Sequence, residues 1–435
     1  KLRYLNCYGN QLTTLDVSNN PVLENLYCYY NQLTTLDVSN NPRLAYLYCY
    51  NNQLTTLDMS SNTELTYLRC ASNQIANLNL KANTKLSNLS VNYNPLESFD
   101  ISSNTALEIL ECYGLGLDEL SVAHLPKLIT LFCGSNNLTT LNLSNNPELQ
   151  TISCQNNNLT SLDFSANPKI TYIYAVNNQL SSINVSACEN LGQLYCNINN
   201  LGTLDISNCA ILESLACDNN NLVTLDVSGN TLLSYLNAQN NPMTTLYIYD
   251  GQTIAEEYLP DGVVKEVKGI ADEGITIDET LFPDDAFRTY VSNNFDLNSD
   301  GKLSKAERLK VTYIGVSTLE VASLEGIELF TNLQELSCNG NMDWSTVTRE
   351  GELTSLDLSK NTELIRLYCC YNKITELNLA KNTKLQYTEL EYNLLTSLSL
   401  PQDGNLQTIL AYDNQLSSLD VSGLPYLEYL FIGDN

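Results

Sequence analysis

Twenty-one residues separate Leu44 from Leu65, Cys49 from Cys70 and Asn52 from Asn73, and that interval governs what this chain can fold into. The stretch LAYLYCYNNQLTTLDMSSNTE, from Leu44 to Glu64, sets Leu44, Leu47, Cys49, Asn52, Leu54, Leu57 and Met59 at fixed offsets. One step forward, Leu65, Leu68, Cys70, Asn73, Ile75, Leu78 and Leu80 take the same places; one step back, Leu23, Leu26, Cys28, Asn31, Leu33, Leu36 and Val38 do. Units begin at Leu2, Leu23, Leu44, Leu65, Leu86, Leu107, Leu128, Leu149, Ile170, Leu191, Leu212 and Leu233 without insertion or deletion. A unit this short cannot bury its own apolar face, so units must stack and share a core that grows along one axis. At about 4.8 Å per parallel strand, the twelve units extend on the order of 55 Å.

Each unit is two half-repeats, L-x-x-L-x-C-x-x-N and L-x-x-L-D-V-x-x-N. The first half reads as a strand of a parallel sheet and the second, such as Leu12–Val17, as a short extended segment on the opposite side. Asn10, Asn31, Asn52, Asn73, Asn94, Asn136, Asn157, Asn178, Asn199, Asn220 and Asn241 form one column. An amide carries donors and acceptors, which suits it to the unpaired backbone groups of a buried turn. Asp16, Asp37, Asp58, Asp100, Asp163, Asp205 and Asp226 form another, with Asn79, Asn142 and Asn184 in the same slot. Asn keeps the hydrogen bond and drops the charge, which favours a turn role over a ladder of calcium ligands.

The 14 cysteines do not read as a disulfide framework. Cys7, Cys28, Cys49, Cys70, Cys112, Cys133, Cys154, Cys196 and Cys217 share one slot, which Val91, Ala175 and Ala238 also fill. A slot open to Cys, Val and Ala is an inward apolar slot, and free Cys behaves there as a small hydrophobe. Cys188 and Cys209 lie elsewhere, where earlier units carry Asn20 and Asn41. Buried thiols are expected there, and these two are also the best candidates for a bridge.

The pattern L-x-x-L-x-C-x-x-N-x-L-x-x-L-D-V-S-x-N resembles the nested, 21-residue subclass of bacterial leucine-rich repeats, often labelled internalin-like. The resemblance covers most of the chain and implies a leucine-rich-repeat solenoid, mostly β: a parallel sheet, short convex-side extended segments and little helix. It also implies a large secreted or cell-surface protein that recognises or adheres to something. Folds of this kind host many binding roles, so the partner must be sought in the variable residues.

Those residues flank the inward Leu and Cys of each strand. They are Tyr4, Asn6 and Tyr8, then Asn25, Tyr27 and Tyr29, then Tyr46, Tyr48 and Tyr50, then Tyr67 and Arg69, with Tyr113, Phe132, Tyr172, Tyr174, Tyr195 and Tyr235 further along. Tyrosine offers a rigid apolar face and a polar tip, as recognition surfaces do; it also favours strands and stacks across them. Three readings stay open: a protein ligand on this face, a glycan stacked on the rings, or a spacer. Tyr27, Tyr29, Tyr46, Tyr48 and Tyr50 are the leading cluster.

Other chemistry is excluded. A net charge of −28 argues against nucleic acid and anionic membrane surfaces. His124 is the only histidine, so Ser-His-Asp, Cys-His and zinc-protease arrangements fall away and no enzyme is expected. No apolar run reaches membrane-spanning length. The chain starts at a unit and stops within one, which reads as an internal piece of a longer precursor, so missing targeting signals carry no weight.

After Leu246 the pattern stops, and residues 251–274 are expected to hold a closing strand or hairpin and a linker. Residues 275–319 read as a helical cap. Pro283 fits an early helical position, with Asp284 and Asp285 in the first turn. DLNSDGKLSKAE, Asp296 to Glu307, matches the EF-hand loop. Asp296, Asn298 and Asp300 would give side-chain oxygens, Lys302 its carbonyl, Ser304 a water contact and Glu307 two oxygens to a single structural Ca²⁺. A second array, residues 320–435, restarts at Leu333 and is interrupted by a longer loop holding Trp344, a further recognition candidate. Its rungs resume at Leu364, Leu385, Leu406 and Leu427, with Cys369 in the core slot and Cys370 pointing out as the one reactive thiol.

Overall fold

The computed structural model describes residues 1–268, 274–317, 319–343, 348–349 and 351–435, which form two compact units, Lys1–Ala271 and Asp272–Asn435. Trp344 lies outside the described residues.

In the first unit, three-residue strands from Tyr4–Asn6 to Tyr235–Asn237 stack in a parallel sheet. Each pairs with the next at the sequence repeat, as in Tyr46↔Tyr67 and Tyr172↔Gln193. On the opposite side, segments such as Ser161–Asp163 and Ser182–Asn184 pair in parallel and form short sheets of their own. The strand pattern out–in–out puts Leu26, Leu47 and Leu68 inward, where the leucine and cysteine columns make one continuous core. Cys28, Cys49, Cys70, Cys112, Cys133, Cys154, Cys196 and Cys217 are free and buried within it.

The first asparagine column bolts each rung to the one before. Asn31 Nδ2 donates to the carbonyls of Cys7 and Cys28, at 3.0 and 3.1 Å, while its Oδ1 accepts from Leu12 N–H at 3.0 Å. The same set recurs at Asn73 and Asn136. A second column, Asn41, Asn62, Asn83, Asn104, Asn146, Asn167 and Asn230, donates Nδ2 to carbonyls of the preceding rung, as Asn41 does to Val17 at 3.0 Å and Asn20 at 2.9 Å. Its Oδ1 atoms receive no hydrogen bond, so the slot asks for a donor alone. That is why Cys fits at 188 and 209: neither is in a disulfide, and each thiol lies 3.9 Å from a carbonyl of the rung before. Leu125 falls in the same slot and has no donor; His124 supplies it, with Nε2 2.9 Å from the Ile101 carbonyl. The aspartates close turns: Asp16, Asp37 and Asp58 each accept from the N–H two residues on, and Asn79 and Asn142 do the same.

Residues 251–268 add a thirteenth rung instead of a hairpin. Glu256–Tyr258 pairs in parallel with Tyr235–Asn237, and Val264–Val267 with Thr245–Ile248. Glu257 stands opposite Leu236 and Lys265 opposite Leu246, two core-facing leucine positions, and their side chains meet at 2.5 Å. An ion pair replaces two leucines where the apolar core ends, which lets the last rung face water.

In the second unit, helix α1 (Asp285–Phe295) starts two residues after Pro283, which lies outside it. Asp284 is its N-cap, accepting from Phe287 N–H at 2.9 Å, and its other oxygen accepts from Ala322 N–H at 2.7 Å. Phe282, Phe287, Phe295 and Phe330 pack together and seal the helix onto the core. Gly326, at φ +98°, is required there, since a Cβ would lie 2.5 Å from the Phe282 ring. Helix α2 (Lys305–Lys310) leads to Tyr313–Gly315, the first of six parallel strands ending at Tyr429–Phe431. The inserted loop pairs Met342–Asp343 with Thr348–Arg349 in antiparallel.

Candidate functional site

The outward residues of the large sheet in the first unit form aromatic ladders. Tyr8, Tyr29 and Tyr50 stack face to face at centroid distances of 4.6 and 4.5 Å. Beside them Tyr4, Tyr27 and Tyr48 pack at 5.3 and 4.9 Å, with the Arg69 guanidinium 5.3 Å from the Tyr48 ring, and Tyr46 stacks on Tyr67 at 4.6 Å. Sheet stacking and exposure therefore coexist: Tyr27, Tyr29, Tyr46, Tyr48, Tyr50 and Tyr67 are half-buried, while Arg69 is exposed. Desolvation pushes the Tyr27 and Tyr50 hydroxyls up from 10.0, so both are neutral hydrogen-bonding groups at physiological pH.

Five rungs on, the face dips. Tyr93, Tyr113 and Phe132 stand on one side and Tyr172 and Tyr174 on the other, with Thr151, Ser153, Asn92 and Gln155 among them, around a depression of about 680 Å³. Ser153, short between Phe132 and Tyr174 in register, and Thr151 beside Tyr172 create the recess. Tyr195 packs against Tyr172 and Tyr174 at 5.8 and 5.7 Å. Tyr93 is a residue that strand alternation misses: it lies past the strand, at φ +53°, and is 57% exposed. A short Ser153 between Phe132 and Tyr174 in its column was the depression's available signal.

In the second unit the Asp296–Glu307 loop folds around its own carboxylates. Asp296 accepts from Asp300 N–H at 3.1 Å and Gly301 N–H at 2.9 Å; Asp300 accepts from Lys302 N–H at 2.8 Å. Asn298 Oδ1 accepts from Asp300 N–H at 3.0 Å, and Glu307 from Leu297 and Ser304 N–H, each at 2.8 Å. Asp296 and Glu307 are buried, and Gly301 takes the turn at φ +79°. Lys302–Leu303 pairs in antiparallel with Ile275–Thr276, a strand the sequence reading did not foresee. These oxygens, packed behind a short strand pair, are the donor types calcium takes.

Cys370 requires a correction. The position follows the inward Cys369 and points outward by alternation, yet the thiol is buried and lies 2.8 Å from Glu391 Oε2. Burial, followed by the Glu391 hydrogen bond, pushes it far above its ordinary 9.0, which makes it a poor nucleophile.

No family model and no curated protein matches the chain. Among solved structures it is similar to the functional domain of InlJ from Listeria monocytogenes, a domain that includes a cysteine ladder, at 25% identity and a TM-score of 0.54 over 98% of this chain and 70% of that one. The fold is a leucine-rich-repeat solenoid. YopM from Yersinia pestis, a leucine-rich effector protein, is similar in fold at 21% identity and a TM-score of 0.50, over 96% of this chain and 89% of that one. Nested repeats, the buried cysteine column and near-complete coverage make this leucine-rich-repeat chain internalin-like. No described helix is long and apolar enough to cross a membrane.

Proposed function

We propose that this is a non-catalytic recognition protein of the cell surface or secreted fraction, and that it binds a protein ligand on the tyrosine-rich strand face of its first array. The observation that carries the reading is the continuous aromatic platform from Tyr4 and Tyr8 to Tyr67 and Arg69, pre-stacked, exposed at Tyr4, Tyr8 and Arg69 and half-buried between them. Rings already immobilised by their neighbours lose little side-chain entropy on binding, and Tyr and Arg are the residues that dominate protein interfaces. Surface location rests on the internalin-like resemblance. The depression between Tyr113, Phe132, Tyr172 and Tyr174 favours a glycan as the second reading, since sugar rings stack on aromatic walls and bond to amide and hydroxyl groups such as Gln155, Ser153 and Asn92.

Parallel arrays of purified surface and matrix proteins and of glycans, probed with the labelled full chain, separate the two. Protein hits that weaken in a Tyr29→Ala/Tyr50→Ala variant support the leading reading; glycan hits alone, lost in Tyr113→Ala/Tyr172→Ala, replace it with the second. We also propose that Asp296, Asn298, Asp300, Lys302 and Glu307 hold one structural Ca²⁺, which would brace the helical cap against the second array.

A further inference from the structure

The second array carries a cluster unlike anything on the first. Cys370 and Glu391 occupy the same slot in successive rungs, and Glu389 ends the strand Tyr387–Glu389 beside them. The Cys370 Sγ and one carboxylate oxygen each of Glu389 and Glu391 lie within 4.8 Å of one another. Cys370 and Glu391 are 5% and 7% exposed. Tyr387 donates its hydroxyl to Glu389 at 2.7 Å, and Asn339 Oδ1 accepts from Cys370 N–H at 2.7 Å, so both ligands are oriented by a neighbour. Tyr371 and Tyr392 stack at 4.9 Å, and Tyr392 packs on Tyr412 at 5.3 Å.

Among the described residues, neither Glu389 nor Glu391 is ion-paired with a lysine or arginine. A buried carboxylate with no cation is costly, and such a group takes up a proton, a counter-charge or a metal. The neighbouring rungs hold Ser337 and Asn339 on one side and Leu410 and Tyr412 on the other in these two columns, so the three ligands converge at one place only.

We propose that Cys370, Glu389 and Glu391 form a site for one zinc-class divalent cation on the strand face of the second array. One sulfur and two carboxylates suit a borderline ion such as Zn²⁺, whose bonds of about 2.0–2.3 Å to S and O fit ligand atoms this close. Binding forms a Cys370 Sγ–metal bond and breaks the S–H bond; the proton passes to water and no oxidation state changes. Three protein ligands leave a position for water or for a donor from a partner. Tyr387 is a positioning residue that orients Glu389.

The test titrates the reduced full chain with Co²⁺, then with Zn²⁺. A thiolate-to-cobalt charge-transfer band saturating at a single equivalent and displaced by Zn²⁺ is the expected result. The band should survive in Cys133→Ala, an inward slot where Ala is already tolerated at 175 and 238. It should vanish in Cys370→Ala, and Tyr387→Phe should weaken affinity about 10-fold without moving the melting temperature. Cobalt held by oxygen ligands of the Asp296–Glu307 loop gives no such band. Absence of the band from the unmodified chain, or its persistence in Cys370→Ala, overturns the proposal.

Discussion

Asn73 Nδ2 donates to the carbonyl oxygen of Cys49, 24 residues earlier in the preceding rung, at 3.0 Å. The same amide reaches Cys70 O, and its Oδ1 accepts from Leu54 N–H, all in buried surroundings. Asn73→Ala leaves those backbone groups without partners and should cost about 3 kcal/mol, at ~1–3 kcal/mol for each unsatisfied buried group. Denaturant unfolding checks this; Gln53→Ala, an exposed position, should change stability by less than ~1 kcal/mol.

The turn before each asparagine holds a residue at positive φ: Tyr30, Asn51, Ser72 and, at 56°, the β-branched Ile198. Left-handed backbone is costly for branched side chains and tolerable for Asn or Gly. Ile198→Asn should therefore stabilise the first array by about 1 kcal/mol, read as a raised denaturation midpoint.

The aspartate column makes the arrays acid-sensitive. Hydrogen bonds from the side chain and backbone of Ser18 hold Asp16 below its ordinary 3.8, and Ser39 does the same for Asp37 and Ser60 for Asp58. A depressed carboxylate adds stability that is complete above the unfolded value and is lost as pH falls through the folded one. Stability should hold from neutral pH to about 4 and drop below it. Replacing Asp16, Asp37 and Asp58 together with Asn, which the fold already uses in this slot, should flatten that drop in a melting-temperature profile against pH.

The calcium proposal predicts that chelator lowers the melting temperature of the second unit's transition and that excess Ca²⁺ restores it. Asp300→Ala should melt at the chelated temperature with or without calcium. A transition indifferent to both rules the ion out.

The fold was legible because its determinants repeat. Leu, Cys and Asn each return at one interval, so a slot's chemistry could be read from all its occupants; Val91 and Ala175 in the cysteine slot revealed an apolar position before any coordinates did. What escaped was not periodic. The thirteenth rung is invisible because Glu257 and Lys265 replace the leucines that would announce it. The depression depends on Thr151 and Ser153 being short beside Tyr172, Tyr174 and Phe132, a contrast across rungs. Cys370 points outward by alternation, yet Glu391 in the next rung and its neighbours cover it. The strand Ile275–Thr276 gains its meaning from Lys302–Leu303, more than twenty residues on.

The central claim is that recognition resides on the tyrosine platform of the first array. Its most direct test is the dissociation constant of a protein ligand found on the arrays, measured for the unmodified chain and for Tyr29→Ala/Tyr50→Ala. Two interface aromatics at about 1.4 kcal/mol each predict affinity weakened by about 100-fold in a variant that stays folded; undiminished affinity in the folded variant contradicts the claim.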